Sequence, residues 1–308
     1  MPCYHDKFTI NYYICAMILQ KLFVKIGNFM GLVKFWHTIF AMPFALMAFV
    51  FAVATTESNF DWWLLIKVVC CMVTARNVAM GFNRWADRKI DSQNPRTAMR
   101  EIPQGKISPR AALIFVIVNA ILFVVISATI NSLTAILSPV ALAVVMFYSY
   151  CKRFTSAAHL VLGLALGIAP SAAYIAVTGT LTLAPCLLSL LVITWCGGFD
   201  IIYALQDVDF DKKSGLHSIP VRFGVAGAVY ISIALHTVSI LSLLLFALQC
   251  PQGWLLWIGV ALFTLCIIFE HILVTPTKQR NIGIAFGTLN GIASTTLALF
   301  VIAQIVLG

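Results

Sequence analysis

Two pairs of aspartates, Asp87 with Asp91 and Asp207 with Asp211, dominate a chain that holds only 11 acidic residues. Each pair has i,i+4 spacing. On a helix of 3.6 residues per turn that spacing stacks both carboxylates on one face, where they repel unless a cation joins them. Asn83 extends the first stripe by a turn, in Asn83-Arg84-Trp85-Ala86-Asp87-Arg88-Lys89-Ile90-Asp91. The second pair follows Tyr203-Ala204-Leu205-Gln206 and is displaced from the first by 120 positions. Mg2+ is a hard ion that takes one or two carboxylates and completes its shell with water and phosphate oxygens. Two facing stripes of this kind have the chemistry to hold Mg2+ with a diphosphate bridging the ions. Asn83, Asp87, Asp91, Asp207 and Asp211 are therefore the candidate metal ligands, and the four aspartates the candidate catalytic groups. The plainer reading, solvated loop acids that neutralise nearby cations, suits one such pair better than two equivalent ones.

Cations accompany the acids. Arg76, Lys152 and Arg153 fall near the same helix ends, and Tyr148-Ser149-Tyr150-Cys151-Lys152 places a phenol one turn before an ammonium. Such donors suit phosphate oxygens, so Arg76, Tyr148, Lys152 and Arg153 are candidate diphosphate contacts. For Lys152 and Arg153 topological anchoring is an equally simple role. His37, His159, His217, His236 and His271 lack metal-ligand spacing and read as structural. Nine cysteines are scattered without a CxxC pair and behave as small hydrophobes.

The elements that carry these residues are long and apolar. Of 308 residues, 61% are hydrophobic and 10% charged, against about 45–50% and 25% in a soluble domain. That surplus of apolar surface requires lipid as solvent. Runs near the length of a bilayer crossing occur at 35–53, 62–83, 111–129, 132–150, 158–178, 182–204, 224–248, 253–275 and 282–307. The expected fold is an all-α membrane bundle of nine transmembrane helices, read as two four-helix halves plus a ninth. Residues 1–33 read as an N-terminal interfacial segment and 34–308 as the transmembrane domain. Alternating the loops along nine helices puts 18 of the 20 Lys and Arg residues on one side. The positive-inside rule makes that side cytoplasmic. A net charge of +9 distributed this way points to membrane topology and not to nucleic acid.

With its motifs in order, the chain resembles the UbiA superfamily of intramembrane prenyltransferases over 34–307. The resemblance rests on Asn83-x3-Asp87-x3-Asp91, Tyr148-x3-Lys152 and Asp207-x3-Asp211. It is supported by Asn94-Pro95-Arg96-Thr97, Pro103-x-Gly105, Gly215-Leu216-His217-Ser218-Ile219-Pro220 and Arg222-Phe223-Gly224. Arg84 departs from the family pattern, where Asp is common, and the text around it looks most like the 4-hydroxybenzoate polyprenyltransferase branch. The resemblance implies a Mg2+-dependent transfer of a polyprenyl group from polyprenyl diphosphate to an aromatic carboxylate, in ubiquinone or menaquinone biosynthesis, within a bacterial inner membrane. A naphthoate or futalosine-route acceptor is the alternative within the family, and a secondary transporter the alternative outside it. Lys34, Asp200 and Tyr203 are the expected acceptor contacts. Asp200 and Asp209 are read as orienting either their neighbours or the aromatic acceptor, and Lys34 reads equally as a membrane anchor.

Overall fold

The computed structural model of the protein describes residues 20, 24, 27–33, 42–56, 59–277 and 282–308. In chain order its helices are α1 (Met42–Thr55), α2 (Trp62–Ala86), a short α3 (Arg88–Gln93), α4 (Pro109–Ala128), α5 (Ser132–Cys151), α6 (Ala158–Thr178), α7 (Leu183–Ala204), a short α8 (Val208–Lys213), α9 (Ile219–Ala247), α10 (Trp254–Leu273) and α11 (Asn290–Leu307). There is no β-strand among the described residues. Among the described residues eight helices are long and apolar enough to cross a membrane, and α1 is a shorter apolar helix. The protein is a multi-span integral membrane protein, and α1 brings its apolar helices to the expected nine. The part of the first run that precedes Met42, with Lys34 and His37, lies outside the described residues.

Local chemistry sets the helix ends. Asp61 accepts from the amides of Trp63 at 2.8 Å and Leu64 at 3.3 Å and so starts α2. Asn131 and Thr134 form a reciprocal capping box that opens α5 immediately after α4. Ser108 and Ser218 cap α4 and α9, each with Pro in the first turn. Gly179, at φ 68°, closes α6 in the left-handed conformation. Gly224, at φ 73° and ψ 176°, breaks α9 near its start, so the long straight part of that helix begins where the expected run at 224–248 does. The last run is also divided, with a π-helical turn at Ile284–Leu289 leading into α11.

Large apolar side chains face outward along the bundle, including Ile114, Ile117, Ile121 and Val125 on α4 and Leu241 and Leu245 on α9. Trp62, Trp63 and Trp254 are exposed at the helix ends remote from the basic loops, where an indole suits a membrane–water boundary. Inside, Phe44, Phe49, Leu188, Leu191, Trp195, Phe246 and Phe263 fill a core shared by α1, α7, α9 and α10. A separate cluster of Val78, Val116, Leu142 and Val145 ties α2 to α4 and α5. The helices that carry the two aspartate stripes therefore belong to different packing units: α2 rests on α4 and α5, and α7 on α6 and α9. Leu32 packs with Ile102, Ile107 and Ala112 beneath the loop that follows α3.

Glycine governs how closely α6 and α7 approach. A Cβ at Gly163 would lie 2.2 Å from the Ile193 carbonyl oxygen, and one at Gly167 would lie 2.9 Å from the Ser189 carbonyl oxygen. Both clashes are with backbone, so neither is relieved by a rotamer change. This contact fixes the register in which α6 meets the lower part of α7.

Candidate metal and diphosphate site

Asp87 caps the C-terminus of α2, its amide bonded to the Asn83 carbonyl. The Asn83 side chain donates Nδ2 to Asp87 Oδ2 at 3.0 Å, so the i,i+4 stripe is realised as a bonded pair. One turn on, in α3, Asp91 is buried and accepts from Arg100 Nη1 at 2.6 Å. Thr97 Oγ1 donates to the Asp91 carbonyl at 3.0 Å and folds the following loop back onto it. That loop crosses to the second stripe. Asn94 Nδ2 donates to Asp207 Oδ1 at 3.2 Å, Arg96 Nε reaches the same oxygen at 2.8 Å, and Arg96 Nη2 takes Oδ2. The Arg96 Nη1 donates to the Tyr203 hydroxyl at 2.7 Å, with the guanidinium 5.1 Å from that ring's centroid.

The α5–α6 connection supplies a second bridge. Arg153 Nη2 lies 3.0 Å from Asp87 Oδ1 and 2.9 Å from the Ala86 carbonyl, while Lys152 Nζ lies 3.9 Å from Asp211 Oδ2. Adjacent residues thus address both stripes. Lys152 also accepts from the His217 amide through its carbonyl, at 2.7 Å, which ties this connection to the start of α9. Every one of the four aspartates has a basic partner from another part of the chain: Arg153, Arg100, Arg96 and Lys152.

Electrostatics follow from that geometry. Burial pushes the Asp87 carboxyl above the usual carboxylate range, the Arg153 hydrogen bond opposes the rise, and Asp91 adds to it. Burial works to lower the Arg96 guanidinium, but its bonds to Asp207 outweigh it and raise Arg96 above its ordinary value.

Among the other expected site residues, Tyr148 is half-buried and lies within electrostatic reach of Asp87 and Asp200. Tyr203 is occupied by Arg96 and stacks on Phe286, with centroids 4.2 Å apart. Asp200 meets His159, Nδ1 to Oδ2, at 2.6 Å. Arg76 is half-buried in α2 and its Nε has no hydrogen-bond partner among the described residues. Asp209 is exposed between its two partnered neighbours. Lys34 lies outside the described residues. Arg84, where the family pattern has Asp, is buried at 4% exposure with an unpartnered Nε.

Arg96, Arg100, Asn94 and His159 receive no site role from sequence alone. Arg96 and its target are separated by 111 positions, and no local periodicity joins them. The one available signal is the run Asn94-Pro95-Arg96-Thr97 immediately after a metal-type stripe, where Pro95 holds Asn94 extended.

Among the described residues no three acids, histidines or cysteines gather closely enough to hold a metal ion by themselves, so a divalent cation here would need phosphate oxygens to complete its shell. Asp91 Oδ2 and Asp211 Oδ2, one from each stripe, are buried without a hydrogen-bond partner among the described residues. Orphaned carboxylate oxygens in a buried setting are costly unless a ligand meets them.

Residues 41–300 match the model of the UbiA prenyltransferase family. The chain belongs to the UbiA prenyltransferase family. Among curated relatives of this UbiA-family protein, 4-hydroxybenzoate octaprenyltransferase of Klebsiella pneumoniae is 34% identical over 197 residues, covering 64% of this chain and 66% of that one. The Photobacterium profundum enzyme of the same name is 33% identical over 256 residues, covering 80% and 85%. The chain thus spans about two thirds of the Klebsiella relative and more of the Photobacterium one. Among solved structures, a UbiA homologue from Aeropyrum pernix K1 superposes with a TM-score of 0.75 at 28% identity, over 88% of this chain and 97% of that one. A UbiA homologue from Archaeoglobus fulgidus bound to GPP and Mg2+ gives 0.69 at 20% identity over 91% and 99%, a likeness of fold.

Proposed function

We propose that this protein transfers a polyprenyl group from polyprenyl diphosphate to a hydroxylated aromatic acid of the 4-hydroxybenzoate type, at the cytoplasmic face of a bacterial inner membrane, in quinone biosynthesis. The observation that carries the reading is the convergence of two aspartate stripes from different packing units, each carboxylate matched with a cation from elsewhere in the chain. The names of the curated relatives support the acceptor class. The GPP and Mg2+ of the Archaeoglobus homologue support the donor and metal.

In this reading Asp87, Asp91, Asp207 and Asp211, with Asn83, hold Mg2+, which when bound supplies Lewis-acid stabilisation of the leaving diphosphate. The chain's own cations have a second task. Lys152 and Arg153, with Arg76 and Tyr148, would hold the phosphate oxygens, and Arg96 and Arg100, paired here with Asp207 and Asp91, would turn to phosphate where those carboxylates hold the metal. Charge-assisted bonds to phosphate replace charge-assisted bonds to carboxylate, so the exchange keeps every guanidinium partnered. The apolar walls of the bundle exclude water from the allylic cation formed as the C–O bond breaks. Asp200 and Tyr203 lie on the acceptor side, where the ring attacks through carbon.

The test is prenyl transfer in isolated membranes supplied with Mg2+, a polyprenyl diphosphate and 4-hydroxybenzoate, with the product read by mass spectrometry. Asp87→Asn and Asp207→Asn are each expected to lower the rate by at least ~100-fold, the scale on which removing one transition-state electrostatic group acts. Near wild-type transfer in both variants overturns the metal assignment.

A further inference from the structure

His159 lies in the first turn of α6, ahead of Gly163 and Gly167, which let the backbones of α6 and α7 meet. Its ring is entirely enclosed, at 0% exposure, whereas the side chain of its partner Asp200 is 14% exposed. The Nδ1···Oδ2 separation is 2.6 Å. A carboxylate can only accept, so Nδ1 carries the hydrogen. The far nitrogen, Nε2, is buried with no partner among the described residues.

That order is the reverse of a serine-protease arrangement, in which the imidazole faces the substrate and the carboxylate stands behind it. Here the imidazole is fully enclosed and the carboxylate is the partly exposed member of the pair. Nε2 has no room for a ligand, so the surface available to one belongs to Asp200. The same carboxylate lies within electrostatic reach of Tyr148, and His159 within reach of Asp211, which places the pair beside the aspartate site. A buried histidine kept only for packing needs no such short bond to a partly exposed acid.

We propose that His159 is the positioning residue for Asp200, holding Oδ2 so that Oδ1 receives the hydroxyl proton of the aromatic acceptor. This rests on the aromatic-acceptor reading above. The acceptor's O–H proton passes to Asp200 Oδ1, and the ring carbon beside the resulting phenolate oxygen bonds to C1 of the prenyl chain. The C1–O bond breaks with its electron pair going to the diphosphate. The ring C–H proton then leaves to a diphosphate oxygen, and Asp200 returns its proton to the phenol oxygen. One proton is released overall and Asp200 ends as it began. His159 remains neutral throughout, its Nδ1–H fixing the direction of the carboxylate.

Two substitutions separate positioning from packing. Asparagine at 159 presents an amide donor near the place of Nδ1, and leucine fills the space without a donor. Both are compared with wild type for kcat, for KM of each substrate, and for polyprenyl diphosphate binding by titration. His159→Leu is expected to lower kcat by ~100-fold, the low end for general-base work, without change in diphosphate binding. His159→Asn is expected to recover most of that loss. Wild-type kcat in His159→Leu, an Asn variant no better than the Leu variant, or weakened diphosphate binding in both overturns the positioning role. Wild type that prenylates no hydroxylated arene overturns the acceptor reading instead, so the two failures are distinct.

Discussion

Replacing Arg96 with alanine isolates the strongest link between the two aspartate stripes. Arg96 makes two charge-assisted bonds to Asp207, one of them at 2.8 Å, and a third bond of 2.7 Å to Tyr203. Asp207 has a side chain only 8% exposed, and that of Arg96 is 31% exposed. Breaking a buried ion pair by removing one partner costs about 3–5 kcal/mol because the other charge is left unpaired. Partial exposure of the guanidinium favours the low end, and Asn94 still donates to Asp207 at 3.2 Å, so roughly 3 kcal/mol is the working figure. With an unfolding entropy of about 2.1 cal/mol/K per residue, the 308 residues of this chain make 1 kcal/mol worth roughly 1.5 °C, giving an expected fall of ~4–5 °C in apparent Tm. The assay is thermal unfolding of the detergent-solubilised protein followed by tryptophan fluorescence, in chelator and again in Mg2+. In Mg2+ the deficit is expected to shrink, because a liberated Asp207 is a better metal ligand than one bound on both oxygens. Arg96→Lys is expected to fall between, since an ammonium cannot bond both carboxylate oxygens in one plane. An Arg96→Ala midpoint within ~1 °C of wild type in chelator would refute the claim that this pair holds the stripes together.

Gly163→Ala places a methyl 2.2 Å from the Ile193 carbonyl oxygen, and is expected to destabilise the bundle by about 1–3 kcal/mol, as overpacking does; an unshifted unfolding midpoint would count against the close α6–α7 contact. The raised Asp87 carboxyl takes up its proton at higher pH than an ordinary aspartate, and Mg2+ requires the ionised form. On acidification Mg2+ affinity is therefore expected to weaken while exposed carboxylates are still charged, and Asp87→Asn to flatten that limb; titration of Mg2+ binding against pH checks it, and an identical profile in the variant would refute it.

The fold was largely legible because each element announces itself locally. The run at 158–178 coincides with α6 at both ends, bounded by Gly179 after it. The expected run at 224–248 begins at Gly224 itself, but only the backbone angle there shows that a short helical stretch from Ile219 joins it across a break. The aspartate stripes were legible for the same local reason: i,i+4 spacing is visible in text. Their counter-cations were less so. Lys152 and Arg153 were recoverable from position at a helix end, but Arg96 and Arg100 sit in a loop whose path depends on Thr97 folding back onto Asp91. The His159–Asp200 pair joins residues 41 positions apart on two helices brought together by glycines, and nothing in the neighbourhood of His159 advertises an acid.

The placement of Lys152 and Arg153 on consecutive residues means that the two halves of the site share a single backbone joint. Arg153 reaches Asp87 and Lys152 reaches Asp211 from neighbouring Cα atoms, and the His217 amide holds the Lys152 carbonyl on the other side. Such a joint acts as a yoke. An anion short enough to meet one arm leaves the other cation on its carboxylate, whereas a longer anion engages both. Discrimination between a diphosphate and a monophosphate would then reside in the length of the yoke as much as in the count of charges.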